Sequence, residues 1–168
     1  MDLKKFIRSI PDYPKKGILF RDVTTLFKEA EAFQFTINAF HERYKHEKID
    51  AIVGIESRGF ILGAALAFKL NLAFVPIRKK GKLPSTVFKQ EYDLEYGSDQ
   101  IEIHQDALHQ GARVLLIDDL LATGGTIIGA QKLLQNFNAH IIECAFVIDL
   151  PDLGGSKKLM STGLKVFK

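Results

Sequence analysis

Two adjacent carboxylates, Asp118 and Asp119, stand between an apolar run, Val114-Leu115-Leu116-Ile117, and a turn of small residues and hydroxyls, Ala122-Thr123-Gly124-Gly125-Thr126. The apolar run is bounded by polar residues, the pattern of a parallel-sheet strand covered on both faces. The turn that follows has flexible glycines and two hydroxyls where the backbone enters a helix, so several N–H groups can point at one bound phosphate. Carboxylates beside such a site suit ribose hydroxyls or a hydrated metal ion. In isolation, Asp-Asp would equally cap a turn, and Gly-Gly would let a strand meet a helix.

Four other segments carry chemistry. Glu56-Ser57-Arg58-Gly59 offers an arginine and backbone N–H groups after a strand, suited to gripping a diphosphate or to starting a helix with Ser57 as its cap. Arg78-Lys79-Lys80-Gly81-Lys82 puts four cations within five residues beyond another strand, which is either a solvated surface or a means of neutralising a leaving group. Glu95, in Tyr92-Asp93-Leu94-Glu95-Tyr96-Gly97, is an exposed hairpin residue or a carboxylate brought in by closure. Pro11 to Val23 is rich in turn residues before a short apolar run, and reads as an arm fastened to the core. The five histidines show no metal-binding spacing and no partner for a nucleophilic triad. Cys144 lies inside an apolar stretch and reads as a core residue.

The elements that must position these groups alternate. Phe33, Ile37, Phe40 and Tyr44 stripe a helix over 30–46 that should pack on a sheet. Strands follow at 50–55, 72–77, 114–117 and 141–150. They are separated by a helix over 60–70 that is apolar nearly all round, buried or at a subunit interface, and by one striped with Ile127, Ala130, Leu134 and Phe137. Alternation of this kind implies right-handed βαβ units and a parallel sheet with ligands at the strands' carboxyl ends. Residues 79–105 lack the apolar stripe of a helix or core strand and read as an extended hairpin or lid. Residues 1–28 and 151–168 read as additions to the core.

With 168 residues, 46% of them hydrophobic, the chain can bury a full core and reads as one domain over 1–168. A net charge of +3 with scattered basic residues favours a small anionic substrate over nucleic acid. No apolar run approaches the roughly 18 to 20 residues that span a bilayer, and the start, Met1 to Phe6, lacks an apolar signal core. The expectation is a cytoplasmic protein with no membrane partner.

The string from Asp118 to Thr126 resembles the phosphoribosyl-diphosphate (PRPP) signature of the type I phosphoribosyltransferases, in the wording of members that use adenine. Residues 11–23, 56–59 and 92–97 resemble that family's base-recognition segment, diphosphate loop and lid, in the expected order, and the likeness runs from Pro11 to Leu159. It implies an α/β fold: a twisted, mainly parallel sheet flanked by helices, with a lid hairpin at 79–105 and an N-terminal base-binding segment at 1–28. The implied reaction is adenine plus PRPP giving AMP and diphosphate, in a homodimer where basic residues of one subunit approach the neighbour's site.

Carried over by position, Phe20 stacks on the base while the backbone of Leu19 and Arg21 reads its edge. Ser57, Arg58 and Gly59, with Arg78, Lys79 and Lys82, hold the diphosphate. Asp118 and Asp119 hold the ribose hydroxyls, and Ala122, Thr123, Gly124, Gly125 and Thr126 hold the 5′-phosphate. Glu95, beside Tyr96 in the lid, manages the purine's proton, so the implied catalytic set is Glu95, Arg58, Asp118 and Asp119. Mg²⁺ arrives with PRPP and has no direct protein ligand, with water-bridged contact to Asp118 or Asp119. In the family the diphosphate loop holds a strained peptide. Two alternatives stay open. One is the same enzyme with hypoxanthine, guanine or xanthine, decided by the edge that Leu19, Phe20 and Arg21 present. The other is a non-catalytic PRPP-sensing regulator, against which stand the absence of room for a DNA-binding domain and the retention of Glu95 and the cation cluster.

Overall fold

The computed structural model describes residues 1–93 and 97–168, which gather into two compact units, 1–45 and 46–168. Glu95 and Tyr96 lie outside the described residues. In the first unit a 3-10 turn at Leu3–Phe6 leads into an antiparallel ribbon of β1 (Arg8–Pro11) and β2 (Leu19–Asp22). A one-turn helix, α1 (Thr24–Phe27), and a longer one, α2 (Ala30–Tyr44), follow. The helical stripe appears as expected, with Ile37, Phe40 and Tyr44 buried. Phe33 meets Phe27 of α1 edge to face at 5.6 Å. Asp22 ties the unit together: its Oδ2 accepts from Arg8 Nε at 3.1 Å across the ribbon, and its Oδ1 accepts the N–H and hydroxyl of Thr24 at 2.9 and 2.6 Å.

The second unit runs through β3 (Ala51–Ile55), α3 (Arg58–Leu70), β4 (Ala73–Lys79), β5 (Val87–Asp93), β6 (Ser98–His104) and β7 (Arg113–Ile117). It continues with β8 (Leu120–Leu121), α4 (Gly125–Gln135), β9 (His140–Ala145), β10 (Ile148–Asp149), α5 (Gly155–Ser161) and β11 (Val166–Phe167). Seven strands form one sheet in the order β11-β9-β7-β3-β4-β6-β5, parallel from β11 to β4 and antiparallel beyond. β3 is buried at every position, as a central strand covered on both faces must be. Val53 and Leu116 face a cluster with Ile127, Ala130 and Leu134 of α4. On the other face, Gly63 of α3 lies against Phe74 and Ile117.

Three expectations are corrected. The extended hairpin read at 79–105 is present as β5 and β6, but it does not lack core strand: both extend the main sheet, and Tyr92, Ile101 and Ile103 join its apolar cluster. Their alternation with polar residues hides this in the sequence. The single strand expected over 141–150 is two. After Ala145 the chain leaves β7, because the carbonyl of Asp119 takes the N–H groups of both Val147 and Ile148 (3.2 and 2.9 Å), and β10 then pairs with β8. Residues 151–168 are no appendage, since Leu159 and Leu164 are buried in the main core and β11 adds to β9.

Thr24 first, and Arg8 next, hold the Asp22 carboxyl down at about 2, against 3.8 ordinarily. A carboxyl lowered on folding contributes stability above its unfolded value, lost as pH falls through the folded one. Asp22→Asn is expected to cost about 1–2 kcal/mol at pH 7 in chemical denaturation, with the gap from the parent closing between pH 4 and about 2. A gap independent of pH would show that the carboxylate's charge is not what matters.

Candidate active site

Because β7, β3 and β4 are parallel neighbours, their carboxyl ends emerge together. From β3 the chain passes through α3 to β4, and from β7 through α4 to β9 on the other side, so the winding reverses between β3 and β7. Open α/β sheets hold ligands in the crevice at such a reversal. A cavity of about 400 Å³ lies there, lined by Arg58, Asp118, Asp119, residues 120–127 and Leu153. That volume suits a small molecule.

The loop is built from the backbone. Asp118 N–H donates to Ala145 O at 3.1 Å, and Asp118 Oδ1 accepts Asp119 N–H at 2.9 Å. Leu150 N–H donates to Leu121 O at 2.9 Å, closing the β8–β10 ribbon under the loop. Gly124 turns the chain into α4 with φ +79°, left-handed space that favours glycine. No side chain caps α4, so its first N–H groups, which lack partners within the helix, are left for a ligand at the positive end of the helix dipole.

Opposite, Arg58 Nε donates to Asp119 Oδ2 at 2.5 Å, on a carboxylate only 4% exposed. Burial first, and the Asp119 charge second, push the Asp118 carboxyl well above its ordinary value. Arg58 begins α3, whose start is uncapped by Ser57, and the Glu56-Ser57 peptide is cis. Ser57 and Gly59 adjoin Arg58 in the chain but do not themselves line the cavity. A Cβ on Gly59 would stand 2.8 Å from Ile117 O.

The cations predicted for the diphosphate all have carboxylate partners. Glu56 takes Lys82 Nζ at 2.5 Å, Arg78 Nε at 3.3 Å and the N–H of Lys79 at 3.0 Å. Burial alone would raise the Glu56 carboxyl, and these three donors outweigh it and leave it lowered. Lys79 Nζ reaches Asp99 at 3.0 Å. Lys79 also lines a second cavity of about 220 Å³ with Glu56, Tyr92, Asp99, Asp118 and Thr126. Thus Arg58, Asp118, Asp119 and residues 122–126 share one cavity, Lys79 joins its neighbour, and Arg78 and Lys82 line neither. Leu19, Phe20 and Arg21 lie in β2 of the first unit, where Phe20 meets Tyr13 at 5.2 Å and Arg21 bonds the Ser9 hydroxyl. Burial pushes the Cys144 thiol up to about 12, so it is no nucleophile.

Glu56, Tyr92, Asp99 and Gly155 were missed as site residues. The first three find their partners through strand pairing, which leaves no local signal. For Gly155 the tandem Gly154-Gly155 was the available one: a Cβ there would stand 2.2 Å from Ala122 O, so α5 forms the loop's floor.

A parallel sheet delivering two carboxylates and an uncapped, glycine-turned helix start into one cavity, opposite an arginine loop, defines a sugar-phosphate-handling transferase. The phosphoribosyl transferase domain family matches residues 23–164. An adenine phosphoribosyltransferase of Methylobacillus flagellatus is 55% identical over 99% of this chain and 95% of its own. The crystal structure of that enzyme from Thermoanaerobacter pseudethanolicus superposes with a TM-score of 0.94 at 45% identity, covering 99% of this chain and 95% of the other. The Saccharomyces cerevisiae enzyme, complexed with an imino-altritol bisphosphate and adenine, gives 0.92 at 42%, covering 99% and 96%. The chain belongs to the phosphoribosyltransferase family, in its adenine phosphoribosyltransferase branch.

Gly155→Ala should displace Ala122 and weaken ribose 5-phosphate binding by about tenfold or more in calorimetry, since an ångström of misplacement at a site can cost about 10²-fold. Unchanged affinity in a folded variant would show that α5 is no floor for the loop.

Proposed function

We propose that the chain transfers the 5-phosphoribosyl group of PRPP to N9 of adenine, giving AMP and diphosphate, as a purine salvage enzyme. The observation that carries this reading is the single cavity shared by Arg58, Asp118, Asp119 and residues 122–126 in a chain of this family. The relatives' names, and the adenine bound by the yeast enzyme, support the choice of base.

In this mechanism the C1–oxygen bond to diphosphate breaks, positive charge grows on the ribose, and adenine N9 forms the new bond from the opposite face. Asp118 and Asp119 hold the ribose hydroxyls and offset the growing positive charge, which also favours the ionised form of Asp118. The N–H groups and hydroxyls of residues 122–126 hold the 5′-phosphate. Arg58, Lys79, Arg78 and Lys82 take up charge on the diphosphate, exchanging some of their contact with Glu56, Asp99 and Asp119 for it, with Ser57 and Gly59 supplying backbone at the loop. Glu95 accepts the proton that N9 sheds, with Tyr96 beside it, and Leu19, Phe20 and Arg21 bind the base. Holding both substrates in one closed site supplies the remaining acceleration.

Asp118 and Asp119, the latter already engaged by Arg58, offer hard oxygens that would hold a hydrated Mg²⁺ arriving with substrate. Among the described residues no group of three or more His, Cys, Asp or Glu is placed to cage a metal. Bound there, such an ion would supply positive charge toward the leaving diphosphate. A homodimer is supported by the outer face of α3, where Ile61, Ala64 and Phe68 are exposed, Phe68 at 90%. A cytoplasmic location accords with the absence, among the described residues, of any helix long and apolar enough to cross a membrane.

Incubation with PRPP, Mg²⁺ and equal adenine, hypoxanthine, guanine and xanthine is expected to yield AMP alone by chromatography. Another monophosphate would overturn the base, and PRPP binding without product would point to a regulator. Asp118→Asn with Asp119→Asn should lower kcat/KM for PRPP by about 10²-fold or more. Glu95→Gln should lower kcat by about 10²-fold, and unchanged turnover would remove Glu95 from the chemistry.

A further inference from the structure

Lys79 ends β4, and its ammonium lies 3.0 Å from Asp99 Oδ2. The same oxygen accepts the Tyr92 phenol at 3.2 Å, while Oδ1 accepts the N–H of Gln100 at 2.8 Å. Tyr92 and Asp99 are cross-strand partners in the β5–β6 hairpin, and Tyr92 is buried. Tyr92 also lines the 220 Å³ cavity together with Thr126, in the loop that enters α4. One carboxylate therefore connects the hairpin with a cation, beside the loop that enters α4. These groups wall the 220 Å³ cavity, which shares Asp118 and Thr126 with the larger one.

A lysine ammonium is a point charge on a flexible four-carbon stem, so it stabilises a leaving group well only when something orders it. Backbone alone does not order Lys79, whose side chain is about half exposed. We propose that Asp99, braced by Tyr92, is a positioning residue that holds the Lys79 ammonium at the wall shared with Asp118 and Thr126, so that the departing diphosphate meets a preordered cation. The inference rests on phosphoribosyl transfer being the reaction. Asp99 touches no substrate in this role and acts only through Lys79. The pair keeps its charge near neutral pH. Its hydrogen bond to Asp99 raises Lys79 despite burial, and the Asp99 carboxyl, which burial would raise, is held low by Lys79 and the Gln100 N–H.

The test is a double-mutant cycle on the full chain, with initial rates at varied PRPP and adenine in the presence of Mg²⁺. Asp99→Asn is expected to lower kcat about tenfold while KM for adenine stays within about twofold. In a Lys79→Ala background the same change should cost less than about twofold, because the group it positions is gone. Asp99→Glu should recover part of the loss. Equal losses in both backgrounds, or none with Lys79 intact, would overturn the proposal. Should Asp99→Asn fail to fold, Tyr92→Phe replaces it, with a smaller loss that also disappears without Lys79. Failure of the unaltered chain to make any nucleotide would overturn the reaction and this inference together, whereas intact parental turnover with additive losses overturns this inference alone.

Discussion

The contact between Gly59 and the carbonyl of Ile117 sets the spacing of everything that meets at the crevice. Any side chain at Gly59 would begin 2.8 Å from that oxygen and 3.1 Å from Asp118 Oδ1. The first turn of α3 can therefore lie directly on the end of β7, which lets Arg58 reach Asp119 across the crevice. Gly54 and Gly63 repeat the device along the same seam, with Phe74 2.7 and 2.8 Å from where their Cβ atoms would be. Overpacking such a seam costs about 1–3 kcal/mol in stability. The larger effect is on geometry, because the arginine and the carboxylates come from different βα units and share a cavity only at this separation.

Close approach concentrates charge, and the structure pairs it. Arg58 stands on Asp119, Arg78 and Lys82 on Glu56, and Lys79 on Asp99. Cations gathered at one end of a sheet without counter-charge would repel one another and lose order. Pairing keeps them charged and placed. An incoming polyanion then gains only the difference between its own attraction and that of the carboxylates it rivals, so the affinity of the site is a balance rather than a sum of contacts. Glu56, a carboxylate inside a loop suited to anions, fits this logic: it is the post on which two cations and the backbone of a third are arranged.

The parallel core was legible because its signals are local. Continuous apolar runs gave β3 and β7, 3.6-residue stripes gave α2 and α4, and the small-residue turn after Asp119 gave the tight entry into α4. What escaped was decided at long range. In β6, Ile101 and Ile103 alternate with Glu102 and His104, a pattern that reads as a surface hairpin until the strand is placed beside β4. The break between β9 and β10 lies inside an unbroken apolar run, and only the Asp119 carbonyl, from another strand, marks it. The cations were legible as a cluster, but their carboxylate partners lie about 20 residues away along the chain and were not.

Glycines at 124 and 125 suggest a supple loop when met in sequence, yet the fold removes that freedom. Gly155 sits beneath Ala122, and the Leu159 side chain would be 3.4 Å from a Cβ on Gly124. α5 is held in turn by Ser156, whose hydroxyl donates to Asp149 Oδ2 at 3.1 Å, an oxygen that Lys168 also engages. The β8–β10 ribbon closes the remaining side. A phosphate site gains nothing from mobility, since donors that must be ordered on binding spend part of the interaction on ordering themselves. Here glycine supplies a backbone geometry that other residues resist, and packing from a segment that looked peripheral makes that geometry the resting state.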